Sequence, residues 1–187
     1  MTRNVSAETK KGNDTVAHKA AVDVKKPTAA FLAGGLDKIY PKENDRLANQ
    51  ILDTGGVLIS EYEFGKESLK NFFVQRDRLQ SGSAEGIIVL ETGVKGGTRH
   101  TVSFAGKQNR LIGCLYTHVD FNFDNSEKFQ GNKDIVENEG GIKLFNPESI
   151  EKFCISLEQK RNLLLQSTYN TNDSEILKGY LVQKKLF

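Results

Sequence analysis

The residues best placed to do chemistry lie in the stretch Gly86 to Thr101, Gly-Ile-Ile-Val-Leu-Glu-Thr-Gly-Val-Lys-Gly-Gly-Thr-Arg-His-Thr. Gly93, Gly96 and Gly97 carry no Cβ, so the backbone N–H groups there can close on a ligand. A helix opening near Thr98 adds its unsatisfied N–H groups and the positive end of its dipole. Together these make an anion site, most naturally for phosphate. The same residues also suit a tight strand-to-helix turn that binds nothing, and the loop alone does not separate the two readings. Glu91 stands just before the loop, at the carboxyl end of its strand, where open sheets place ligand-binding groups. It can hold a ribose hydroxyl or a cation, or serve as a structural hydrogen-bond partner of the glycine loop.

Other chemistries find less support. His100 and His118 make no metal-ligand spacing with Cys114 or Cys154, so no metal site is assigned. No nucleophile elbow or Walker loop is present, and neither a catalytic residue nor a cofactor is assigned. His18, beside Lys19 on a helix, reads as a surface or packing residue.

The elements that must position the loop follow β-α-β grammar. Ile87, Ile88, Val89 and Leu90 form the continuous apolar run of a parallel strand covered on both faces. Upstream, a short helix over 14–22 precedes a strand over 28–33 that ends in Gly34-Gly35. Pro41 opens a helix over 42–53, and Gly55-Gly56 leads into a strand over 57–60. Downstream come a buried strand over 111–116, a long loop to 130, a short helix over 133–138 and an edge strand over 142–145. A helix from Pro147 carries Ile150, Phe153, Leu157 and Arg161 on one face, and a short terminal helix opens at Ser174. The fold class is therefore α/β: a Rossmann-like, mainly parallel open sheet flanked by helices, with a C-terminal helical tail. Residues 1–12 read as a flexible arm, 13–146 as the Rossmann-like domain and 147–187 as a helical extension.

Composition sets the limits. The 187 residues suit one domain with an appended element, and 37% hydrophobic residues with a mean hydropathy of -0.46 permit a core under much polar surface. Lys plus Arg number 26 against 24 Asp plus Glu, a formal charge of +2 that excludes a strongly basic coat and leaves only a local patch. Two cysteines without a secretory signal fit a reducing compartment. No apolar run approaches a membrane span, and Met1 to Lys11 has no signal-peptide core, so the expectation is a soluble cytoplasmic protein without membrane contact.

Several motifs occur together in a recognisable order. They are Gly34-Gly35-Leu36-Asp37-Lys38-Ile39-Tyr40-Pro41-Lys42-Glu43-Asn44, Leu47, Gly56, Ser60-Glu61-Tyr62, and Phe73 to Ser83 with its Arg76-Asp77-Arg78. Gly97-Thr98-Arg99-His100-Thr101 with Ala105, then Gly131-Asn132-Lys133 with Gly140-Gly141, follow them, and Asp14-Thr15-Val16-Ala17-His18 stands upstream. This sequence resembles the DNA-processing protein A family, also called Smf, over about residues 12 to 145. Family members begin with a further glycine-serine-arginine strand turn, so the resemblance implies a sheet without its first β-α unit. Asp77 stands where the family carries asparagine.

The resemblance implies binding of single-stranded DNA without enzymatic activity, in DNA uptake and recombinase loading, with a RecA-type recombinase and a homodimer as associated partners. It implies phosphate contacts from Arg76 or Arg78, with Lys38, Lys95 and Arg99 completing a basic rim around the loops Gly34-Gly35 and Gly96-Gly97-Thr98. On a helix Arg76 and Arg78 point about 200° apart, so only one can face the ligand. Tyr40, Tyr62, Phe72 and Phe73 are candidates for stacking on unpaired bases, with Phe73 better suited to the core. Two alternatives stay open. One is a module sensing a nucleotide or nucleotide-sugar. The other is a nucleotide-processing hydrolase, ranked lowest because no carboxylate follows the Gly96-Gly97-Thr98 loop in the next turn.

Overall fold

The computed structural model describes residues 13–116, 127 and 129–170. The arm, the phenylalanine-bearing loop at 117–126 and the terminal helix expected from Ser174 lie outside the described residues. In chain order the elements are α1 (Asn13–Asp23), β1 (Ala29–Phe31), a 3-10 turn (Lys42–Asn44), α2 (Asp45–Asp53), β2 (Val57–Ile59) and α3 (Lys70–Gly82). Then come β3 (Gly86–Val89), α4 (Thr98–Lys107), β4 (Leu111–Leu115), α5 (Gln130–Asn138), β5 (Ile142–Leu144) and α6 (Pro147–Asn170).

All three strand pairings are parallel, as the strand-helix alternation requires. The ladders form two sheets, β1-β2 and β3-β4-β5. In the larger sheet the side chains divide by the two-residue period. Ile87 and Val89 join Ile112, Cys114, Val102, Ala105 and Ile135 on the face covered by α4 and α5. Ile88 and Leu111 pack instead against Leu144, Phe153 and Leu157, so α6 covers the opposite face. The continuous apolar run of β3 thus reflects burial on both sides. Cys114 is fully buried and unbonded, and that burial pushes its thiol up to about 12.

Local signals decide the boundaries. The helix expected from Lys42 begins as a 3-10 turn, closed by Asn44 N donating to Pro41 O at 3.0 Å, and becomes α-helical only at Asp45. Asn44 is held there by its side chain, whose Nδ2 donates to Thr15 Oγ1 of α1 at 3.0 Å. Ala48 and Ile51 form the buried stripe of α2, whereas Leu52 is half exposed. Gly55 ends α2 at φ +76, a left-handed conformation that favours glycine. α1 packs beside α2 without burying any residue fully, and Val16 is largely exposed. At the start of α6, Asn146 and Ser149 cap reciprocally: Ser149 N donates to Asn146 Oδ1 at 2.8 Å and Asn146 N to Ser149 Oγ at 3.0 Å. Ile150, expected on the packed face of α6, is exposed, while Arg161 donates to Glu85 at 3.2 Å.

Candidate nucleic-acid interface

The loop after β3 is built from behind by a residue far along the chain. Asn132, at 2% exposure, accepts a hydrogen bond from Thr92 N at 2.8 Å through Oδ1. Its Nδ2 donates to Leu90 O at 3.0 Å and to Leu115 O at 2.9 Å. One amide side chain thereby ties the ends of β3 and β4 together and fixes where the loop starts. Gly131 is required beside it, since a Cβ there would stand 2.4 Å from Thr92 O. Gly96 N donates to Gly93 O at 3.0 Å, folding the loop into a turn. Gly97 follows as the exposed residue preceding α4, with open space where a Cβ would sit. Lys95 projects from the same turn and is exposed. Glu91 is half-buried at the end of β3, and the bond to the loop that its position suggested is supplied by Asn132 instead.

A cavity of about 520 Å³ opens beside this helix start. Gly97 and Thr98 form one part of its wall, and Phe31 and Leu32 from the end of β1 another. Tyr40 stands at the cavity, two-thirds exposed, with its ring edge against Phe73 at 5.5 Å between centroids. From α3 come Phe73, Arg76 and Gln80, which share a helix face because they are three and four residues apart. The Arg76 guanidinium lies over the Phe73 ring at 5.7 Å, donates to Phe31 O at 3.3 Å and pairs with Asp77 at 3.2 Å. Asp77 is buried at 3% exposure, so this acidic replacement directly offsets part of the charge of Arg76. Gln80 is 7% exposed, and its Oε1 has no hydrogen-bond partner among the described residues.

His18 completes the wall. Its Nδ1 lies 2.9 Å from Thr28 Oγ1. Burial, and secondarily the nearby positive charge of Arg76, holds its pKa below the ordinary histidine value. It is a packing histidine kept neutral.

Five of the candidate binding residues picked out in the sequence therefore meet at one place: Tyr40, Phe73, Arg76, Gly97 and Thr98. The others are arranged around it or committed elsewhere. Arg78 lies on the opposite side of α3, where it forms a bidentate pair with Glu61 at 2.7 and 2.6 Å. Lys38 pairs with Glu67 at 3.0 Å, and that hydrogen bond raises its pKa. Arg99 is drawn toward α5, bonding Asp134 at 2.9 Å and also Glu139. The hydrogen bond from Asn138, with Arg99 adding to it, holds the Asp134 carboxyl below the usual range.

The loop Gly34-Gly35 is closed over. Gly35 N donates to Lys66 O at 2.8 Å, and a Cβ on Gly35 would stand 2.5 Å from Glu63 O. Gly65 N donates to Asp37 Oδ1 at 2.7 Å, and Ser60 Oγ donates to Gly34 O at 2.6 Å. These glycines let the 63–68 segment pack against the end of β1. Tyr62 and Phe72, candidates for stacking on bases, stack on each other at 4.0 Å.

Among the described residues no group of three or more His, Cys, Asp or Glu could hold a metal ion, and no helix is long and apolar enough to cross a membrane. Gln80 is the contribution that sequence reasoning missed, while His18 and Asn132 stood in the family motifs without an assigned place in the site. The spacing of Phe73, Arg76 and Gln80 carried a usable signal for the first, whereas Asn132 needed the fold.

Comparison with known proteins agrees with this architecture. The chain is 37% identical over 105 residues to protein Smf of Escherichia coli, which is 56% of this chain and 28% of that protein. It is 38% identical over 102 residues to DNA processing protein DprA of Streptococcus pneumoniae, covering 54% and 36% of the two chains. The matched stretch is thus about a third of the length of these curated relatives. The X-ray structure of DprA from Streptococcus pneumoniae superposes with a TM-score of 0.66 at 29% identity, covering 79% of this chain and 50% of that one. DNA processing protein A from Helicobacter pylori, whose structure describes its single-stranded DNA binding mode, shares the fold with a TM-score of 0.60 at 16% identity, covering 88% and 81%. The profile of the DNA recombination-mediator protein A family matches residues 7–155, well over half of the chain. With its parallel α/β architecture and this match, the chain belongs to the DNA recombination-mediator protein A family.

Proposed function

We propose that this chain binds single-stranded DNA through the opening between α3 and the start of α4. The observation that carries this reading is the convergence of a guanidinium, an exposed aromatic ring and the start of α4 on one cavity: Arg76, Tyr40 and Gly97-Thr98. A backbone phosphate docks at the α4 N-terminus beside Arg76, Lys95 meets the next phosphate, and Tyr40 stacks on a neighbouring unpaired base. Lys38, Arg78 and Arg99 act at longer range, because each already spends its charge on a carboxylate. Gly34-Gly35 and Gly96 shape the surface, and Glu91 borders it. In this reading the protein acts in the cytoplasm as a homodimer that holds incoming single strands for a RecA-type recombinase. It carries out no bond-breaking step itself. Membership of a recombination-mediator family supports that role.

Fluorescence anisotropy with an unstructured oligonucleotide tests the reading. Binding at low salt that weakens as salt rises is the expected result. Failure to bind the oligonucleotide at low salt, with thermal stabilisation by a mononucleotide, would replace it with a nucleotide-sensing function. Release of a nucleobase from a nucleoside monophosphate would instead support a hydrolase.

A further inference from the structure

His18 stands in the wall of the cavity with one ring nitrogen engaged and the other not. Nδ1 lies 2.9 Å from Thr28 Oγ1, while Nε2 has no hydrogen-bond partner among the described residues and stays open to solvent. A hydroxyl accepts as well as donates, so the Thr28 contact serves a neutral ring and a protonated one alike. The imidazole is thus already oriented for a second charge state, in which Nδ1–H donates to Thr28 Oγ1 and Nε2–H is left for a ligand.

The charges around the cavity keep that second state empty in the free chain. Arg76 comes from α3, Asp14 from α1 one turn before His18, and Tyr40 adds a phenol; β1, β2, the 3-10 turn, α2 and the start of α4 send uncharged residues into the wall. Asp77, beside Arg76 on α3, pairs with it at 3.2 Å. Burial first, and then the repulsion of Arg76, hold the free imidazole below the ordinary histidine pKa despite Asp14. A docked phosphate cancels that repulsion and adds an attraction. A cavity of about 520 Å³ is about 10 Å across if round, so a phosphodiester at the start of α4 beside Arg76 acts on the ring at short range. An opposite charge within about 4–6 Å favours the charged form by a factor of about ten to a thousand.

We propose that His18 is a proton-linked phosphate contact: neutral while the cavity is empty, it takes a proton from solvent when a phosphate of the bound strand docks, and so adds a positive charge to that of Arg76. One N–H bond forms on the ring, the proton comes from water or buffer, and no other bond changes. The inference rests on the reading that the cavity takes a single strand. Affinity is therefore level above the pKa of the bound ring, climbs as pH falls through it and levels off again below the pKa of the free ring.

Anisotropy titrations of the full chain with oligothymidine, whose bases keep one protonation state between about pH 5.5 and pH 8, test this at fixed salt. Lowering the pH from about 7.5 to about 6 is expected to tighten binding about tenfold in the parent chain and by less than about twofold in His18→Gln. His100, exposed on α4, serves as the control, and His100→Gln should keep the tenfold gain. Nitrogen NMR of the unsubstituted chain gives a second readout that needs no variant. Near neutral pH the His18 ring should be neutral alone and doubly protonated with saturating oligothymidine. Salt-sensitive binding with the same pH profile in the parent and His18→Gln, or a ring that stays neutral in the complex, would overturn the role of His18 and leave the binding reading intact. Absence of binding at every pH would overturn both.

Discussion

The loops Gly34-Gly35 and Gly96-Gly97 read alike in the sequence, and both follow a parallel strand, but the structure uses them in opposite ways. The first is packed under the 63–68 segment: Gly35 gives its N–H to Lys66 O, and Asp37 turns its carboxylate back to Gly65 N. The second ends in Gly97, exposed and unobstructed, with a helix start and Arg76 beside the same cavity. A glycine pair is therefore a statement about close approach of backbone, and what approaches can be the protein's own chain or a ligand. Which one it is depends on a segment distant in the sequence, here residues 63–68, so the loop's own residues do not contain the answer.

That contrast can be broken or sharpened by substitution. The largest effect is expected from Asn132→Ala, which leaves Thr92 N, Leu90 O and Leu115 O without their buried partner and should cost about 3 kcal/mol or more in denaturant unfolding. Gly35→Ala comes next, at about 2 to 3 kcal/mol, because the new Cβ would meet the Glu63 carbonyl. Gly97→Ala should change stability by no more than about 0.5 kcal/mol in the same experiment, since the site has open space. Equal losses at Gly35 and Gly97 would erase the distinction between a packed loop and an open one.

A smaller effect concerns pH. His18 has its pKa lowered in the folded state by burial and by Arg76, so the unfolded chain takes up the proton first as pH falls. Stability contributed by neutral His18 is fully present above the ordinary value of 6.5 and is lost as pH falls below it toward the folded pKa. His18→Gln should flatten the decline in melting temperature between about pH 7 and pH 5 relative to the parent chain. A decline of unchanged steepness would remove His18 from that account.

The legible part of the molecule was the part written in local periodicity. The apolar run of β3, the β-α-β order and the divergence of Arg76 from Arg78 on α3 all follow from 2.0- and 3.6-residue repeats, and the structure reproduces them. The ionic partners were not legible, because they come from far away in the chain. Arg78 finds Glu61 across 17 residues, and Arg99 finds Asp134 across 35 and Glu139 across 40. Those pairings, together with that of Lys38 to Glu67, turn three expected phosphate ligands into residues whose charge is already answered. Arg76 is also paired, but its partner Asp77 adjoins it in sequence, and its guanidinium still borders the cavity.

The most direct measurement of the central claim is the salt dependence of oligonucleotide binding in the parent chain, Arg76→Gln and Arg78→Gln, each first shown to be folded. If Arg76 meets a phosphate at the open loop, Arg76→Gln lowers the slope of log affinity against log salt by about one and weakens binding uniformly across sequences, while Arg78→Gln leaves the slope unchanged. Equal slopes for the parent and Arg76→Gln, or a larger loss in Arg78→Gln, would contradict the account.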